Sequence, residues 1–237
     1  DFILIFSILL SILRKEFLSF LIFSLLAFSF TFPYQLYTFK LTNIPFYFST
    51  QGGEQLYWMS TPYEGEFGEW QNDNFDANCN FITQEVPCNK TLYERNHGFF
   101  FKKLANLNQV DRDILMKNQA FKNIKKKPFK YIKNISSNIS RMFFNIPNSY
   151  FYQRDITTSA RIFPNSILFT LILLSFALTI TNFSNTPKSI QLFFLLTFIY
   201  LLLSSLVSAY PRMLNITLPV ILPWVANTLF IWKHKSK

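Results

Sequence analysis

Apolar residues along this chain gather into long runs separated by polar stretches. Phe17 to about Tyr37, Phe163 to about Thr181, Ile190 to about Val207 and Leu214 to about Trp232 each approach the ~20 residues that cross a bilayer as a helix. The pattern predicts four full spans. A fifth run, Phe2 to Leu13, is too short to cross and starts at Asp1 rather than Met. It reads as a helix whose beginning is cut off, so the chain is expected to start inside a larger protein. A secretory signal fits less well, because the start is acidic and "LLAFSFTF" offers no small-residue cleavage site.

The polar stretch between the first and second full spans divides near Asn96. Its first half alternates short aromatic runs, "FYFST" and "QLYWMST", with turn residues, which predicts a few short strands and loops. Its second half predicts helices. "VDRDILMKNQAFKNIKKK" has an Asp near its start, puts Ile114, Phe121 and Ile124 on one face, and ends in lysines that suit the negative end of the helix dipole. Pro128 then begins another helix, where its missing N–H costs nothing. Phe129, Ile132, Ile135, Ile139 and Phe143 recur along it at three to four residues, an apolar stripe that reads as core packing. The expected fold class is an α-helical membrane protein: four full transmembrane helices plus one truncated N-terminal helix, with a mixed α+β exterior domain inserted between helices. The expected divisions are residues 1–37, a helical membrane segment, 38–161, the exterior domain, and 162–237, three spans and a tail.

Composition agrees with the pattern: of 237 residues, 50% are hydrophobic and 30 are Phe, more apolar matter than one water-soluble core needs. Short-loop lysines and arginines set orientation. Arg14 and Lys15, Lys188, and Lys233, Lys235 and Lys237 fall on one side if each span crosses once. That side is expected to be the cytoplasm, with residues 38–161 and the "SAYPRMLN" loop on the periplasmic side of an inner membrane. Trp232 and Trp224 fit interfacial anchors. The net charge of +10 does not point to nucleic acid, because the exterior segment is acidic first (Glu54, Glu64, Glu66, Glu69, Asp73, Asp76, Glu85) and basic later (Lys122, Lys125 to Lys127, Lys130, Lys133, Arg141). A basic band beside a bilayer meets lipid phosphates, or is simply a solvated helix face.

Most soluble-enzyme chemistry lacks material. The two histidines are His97 and His234, too few for a zinc cage, and no nucleotide-binding glycine motif occurs. No metal site is expected. Cys79 and Cys88, the only two cysteines, are not spaced as a C-x-x-C metal or redox pair, so a disulfide is expected. Asn89, Asn134, Asn138 and Asn215 head N-x-[ST] triplets, which an Asn-rich chain also produces by chance.

"FPYQLYTF…FYFSTQGGEQLYWMSTPYEGEFGEW", then "DRDILMKNQAFKNIKKKPFKYIKNISSNISRMFF", then "SAYPRMLNITLPVILPWVA", in that order, resembles the C-terminal half of family-39-like membrane glycosyltransferases of the GT-C class. The chain departs from that family in lacking Arg-Asn after "PYQLYTF" and in a longer gap from Arg212 to Pro219. The resemblance implies transfer of a sugar from a polyprenyl-phosphate carrier to an exterior glycan or protein acceptor. It also implies a catalytic carboxylate upstream of Asp1, leaving Glu54 as the single weak internal substitute. Arg212, after Tyr210 and Pro211, is expected at the carrier's phosphate or, as a plain interfacial arginine, at ordinary lipid.

The glycine pair Gly52 and Gly53 is expected to form a turn that brings backbone close to a ligand. Gln55, Tyr57, Trp58 and Trp70 would offer ring faces and polar edges to a sugar. A hairpin turn over a small aromatic core explains the same residues. The expected partners are membrane lipids, the lipid-linked donor and the acceptor, with no cofactor beyond that donor. The competing class is a non-enzymatic, membrane-anchored binding or scaffold subunit.

Overall fold

The computed structural model describes residues 8, 11, 12, 15–47, 49–71, 90–150, 155–181 and 188–235. They form helices α1 (Phe17–Thr42), α2 (Gly52–Met59), α3 (Lys90–Tyr93), a π-helical turn (Glu94–Gly98), α4 (Phe99–Leu104), α5 (Gln109–Lys126), α6 (Pro128–Phe144), α7 (Asp155–Thr181), α8 (Lys188–Val207) and α9 (Pro211–Lys235). No strand occurs among the described residues. The expected mixed α+β exterior domain is therefore wrong: the described residues of this part of the chain are helical with irregular loops.

Three helices are long and apolar enough to cross a membrane, over Phe17–Thr42, Ile162–Thr181 and Pro211–Phe230. The protein is membrane-embedded by that measure. Within α8 the apolar stretch is the shorter Phe194–Val207, so the fourth expected span is met only in part among the described residues. The truncated helix expected over residues 2–13 falls mostly outside them, as do Cys79 and Cys88.

The chain divides into two compact units, residues 1–49 with 182–200, and residues 50–181 with 201–237. In the first, α1 exposes Phe17, Leu25, Phe28 and Phe30, as a helix facing hydrocarbon does. It ends at Asn43, which takes the left-handed conformation (φ 54°) and returns its N–H to the Phe39 carbonyl at 2.8 Å.

In the second unit, "QLYWM" is the body of helix α2 and not a strand. Aromatic β-propensity is overridden here by a tertiary contact. α2 packs against α5 so closely that a Cβ on Gly53 would lie 2.0 Å from the Asp113 carbonyl oxygen. The pair also shares a hydrogen bond, Gly53 N–H donating to Asp113 Oδ1 at 2.6 Å. Gly53 thus serves close packing of two helices rather than a turn, and neither it nor Gly52 has positive φ. The glycines that do are Gly65 (φ +86°) and Gly68 (φ +74°), the latter pressed against Asn134.

α5 starts with a reciprocal cap: Asn108 Oδ1 accepts from Asp111 N at 2.9 Å, and Asn108 Nδ2 donates to Asp111 Oδ2 at 2.8 Å. Its buried face carries Asp113, Met116, Ala120 and Asn123, whereas Phe121 is exposed. α6 begins with Pro128 in its first turn, as expected. Its facing is the reverse of the expectation. Lys130, Asn134, Asn138 and Arg141 are buried, while Phe129 and Ile132 are 81% and 56% exposed; of the stripe, Phe143 alone is fully buried, against Phe169 of α7.

Candidate functional site

Residues 60–71 follow α2 as a loop without a hydrogen-bonding ladder, so its carbonyls need donors from elsewhere. α6 supplies them from positions 130, 134 and 141, one face of a helix. Asn134 Nδ2 donates to the carbonyls of Met59 and Thr61 at 2.9 and 3.1 Å. Lys130 Nζ donates to the Glu66 carbonyl at 2.5 Å and to Asn134 Oδ1 at 3.1 Å; burial pulls its pKa below the usual lysine value. Arg141 donates through Nη2 to the Phe67 carbonyl at 3.0 Å and through Nη1 to the Pro147 carbonyl at 2.8 Å.

Two carboxylates tie the loop down. Glu66 is buried, with both oxygens near His97 Nε2 at 3.1 and 3.0 Å. It also accepts from Asn96 Nδ2 at 2.5 Å and from the Thr61 hydroxyl. Burial alone would raise its pKa, but the hydrogen bond and charge of His97, with Asn96 and Thr61, hold it below the ordinary carboxylate range. On the other side of the imidazole, Nδ1 meets Tyr57 Oη at 2.7 Å. Glu69 accepts from Ser149 N, from Ser149 Oγ at 2.5 Å and from Tyr150 N at 3.2 Å, with Arg141 Nη1 at 3.8 Å. Burial outweighs those partners and raises its pKa.

The same loop reaches the turn between α8 and α9. Tyr210 Oη donates to the Trp70 carbonyl at 3.0 Å. Arg212, in the first turn of α9, is exposed, its guanidinium carbon 6.0 Å from the Tyr210 ring centre. Trp70 is half-buried, and its indole Nε1 is buried without a hydrogen-bond partner among the described residues.

The structure therefore brings Trp70, Tyr210 and Arg212 together. Tyr57 and Trp58 lie elsewhere, buried in an aromatic core with Tyr93, Leu104, Met116 and Tyr150, where their ring faces meet Phe100 and Phe101. Gln55 is half-buried, Gly52 exposed, and Glu54 is 5% exposed, so it is not a solvated base at the membrane edge. No cluster of three or more metal-ligating side chains occurs among the described residues. Asn134 and Asn138 are fully buried, so their N-x-[ST] triplets are packing elements of α6, Asn138 donating to the Ser205 carbonyl at 3.0 Å.

Sequence reasoning missed the Glu66–His97 contact and the polar face of α6. The first joins residues 31 apart with no local motif. The second was visible as Lys, Asn, Asn and Arg at helical spacing opposite the apolar stripe. No protein family, curated protein or solved structure matches this chain.

Proposed function

We propose that the chain is the C-terminal portion of a GT-C-class membrane glycosyltransferase, moving a sugar from a polyprenyl-phosphate carrier to an exterior glycan or protein acceptor. The ordered sequence resemblance supports this reading. The observation that carries it is the Tyr210-to-Trp70 hydrogen bond, because it holds the aromatic loop beside the exposed Arg212 at the end of a membrane helix. A planar guanidinium there grips two phosphate oxygens at once and takes up charge as the lipid phosphate leaves. Glu54, Glu66 and Glu69 are buried, and the resemblance puts the base that activates the acceptor hydroxyl upstream of Asp1.

The test is transfer by the full-length gene product in proteoliposomes, with a panel of polyprenyl-phosphate sugars. Arg212→Ala should abolish turnover, and Arg212→Lys, which keeps the charge but loses the fork, should lower kcat/KM by about tenfold, or ~1.4 kcal/mol. Turnover unchanged in both variants would sink the assignment. The burial of Glu54, Glu66 and Glu69 also favours a second reading, a membrane-anchored binding subunit. That reading predicts retained binding of the lipid-linked sugar and no turnover from the full-length protein with any donor.

A further inference from the structure

α6 is amphipathic with its burial inverted: the polar face is inside and the apolar face outside. In water this arrangement would leave Phe129, Ile132 and Ile139, which are 81%, 56% and 36% exposed, without cover, an unfavourable use of one helix stripe. Where the helix lies relative to the membrane segments explains it. Tyr131 Oη donates to the Leu206 carbonyl at 2.7 Å and Asn138 Nδ2 to the Ser205 carbonyl at 3.0 Å, both in the last turn of α8. At its other end the Phe143 carbonyl accepts from Asn165 Nδ2 at 2.5 Å, in the first turns of the α7 span. α9, which begins at the same turn, packs against it as well. The helix therefore meets membrane helices near their ends, the level of a bilayer's headgroups.

The charge around the stripe matches that level. Lys133 borders the exposed face, and Lys122, Lys125 and Lys126 at the end of α5 are exposed beside its start. Apolar side chains flanked by lysines are the composition of a helix lying in the plane of an anionic interface. We propose that α6 is such a helix, with Phe129, Ile132 and Ile139 entering the headgroup–acyl boundary of the leaflet where α8 ends and α9 begins, and the lysines meeting anionic headgroups. Its buried polar face simultaneously holds the loop 60–71. The loop is thereby fixed at the membrane surface.

Nitroxide labels at Ile132 and Ile139, in a Cys79→Ser/Cys88→Ser chain reconstituted into phosphatidylcholine vesicles with 30% phosphatidylglycerol, test this directly. Each label should be reached by oxygen more than by an aqueous nickel chelate, shifting the depth parameter from the negative value of water to a positive one. Replacing Lys125, Lys126 and Lys133 by Gln, or omitting phosphatidylglycerol, should reduce that shift. Labels open to the nickel chelate would show a water-facing helix, and labels closed to both reagents would show a protein cover such as a second copy; either overturns the proposal. An equal shift in all lipids and variants would overturn its anionic part. Should the cysteine replacements unfold the protein, Phe129→Trp with both cysteines retained gives an independent reading. Its emission should be quenched by shallow-brominated lipid more than by aqueous iodide, and the opposite order refutes the insertion.

Discussion

Adding one methyl group at Gly53 should separate α2 from α5. The Cβ would sit 2.0 Å from the Asp113 carbonyl oxygen and 2.8 Å from Asp113 Oδ1, and ordinary contact begins at 3.4 Å, so the helices must part by about 1.4 Å. The obstacle is mainly backbone, which no rotamer change relieves. That movement also breaks the 2.6 Å bond from Gly53 N–H to Asp113 Oδ1 and leaves both groups buried. Overpacking costs about 1–3 kcal/mol, and a buried donor without its acceptor about 1–3 kcal/mol more. Alanine's better helix propensity returns at most ~1 kcal/mol. Gly52→Ala is the control, since nothing lies within 4 Å of its Cβ position and only the propensity gain remains. The two variants should differ by about 3 kcal/mol. Hydrogen exchange of peptides covering 52–59 and 109–120, read in the regime where the rate reports the opening equilibrium, should then be more than about a hundredfold faster in Gly53→Ala. Rates within about twofold of each other would refute the close-packing role.

Acid should act on the two loop carboxylates in opposite senses. Glu66, held below its ordinary pKa, contributes stability that is present above the unfolded value of ~4.3 and is lost as pH falls through its lower folded value. Glu69, raised by burial, contributes stability that is present below that unfolded value and is lost as pH rises through its folded value. Glu66→Gln should therefore flatten the acid limb of a pH–stability curve, and an unchanged limb would remove the His97–Glu66 pair from the account. Lys130→Met leaves the Glu66 carbonyl and Asn134 Oδ1 without their shared donor and should destabilise the loop by about 1–3 kcal/mol, measurable as faster proteolysis within 60–71. Expressed in a glycosylating host, the chain should carry no glycan at Asn134 or Asn138, both fully buried, and glycopeptide mass spectrometry checks this.

Local signals marked α5, α6 and the membrane helices. The proline start of α6, the polar opening of α5 and the apolar membrane segments all follow from residues close in sequence. Facing was another matter. The stripe Phe129, Ile132, Ile139 reads as core only if water is assumed outside, and beside membrane helices the apolar side turns outward. α2 was misread because Tyr57 and Trp58 favour strands locally, while the decisive contact, Gly53 on Asp113, spans 60 residues. The same limit hid Glu66 from His97 and Glu69 from Ser149. Of the expected substrate-binding set, Trp70, Tyr210 and Arg212 come together and Tyr57 and Trp58 do not, a distinction that aromatic composition alone does not draw.

The most direct test of the proposed function is where a lipid phosphate sits. A polyprenyl phosphate carrying a photoreactive group close to its phosphate, incubated with the reconstituted protein and irradiated, should cross-link to peptides spanning 208–218 and 63–71. The yield should fall about tenfold in Arg212→Ala, the loss of ~1.4 kcal/mol of binding. Labelling confined to the lipid-facing surfaces of α1 and α7, unchanged by Arg212→Ala, would contradict the account.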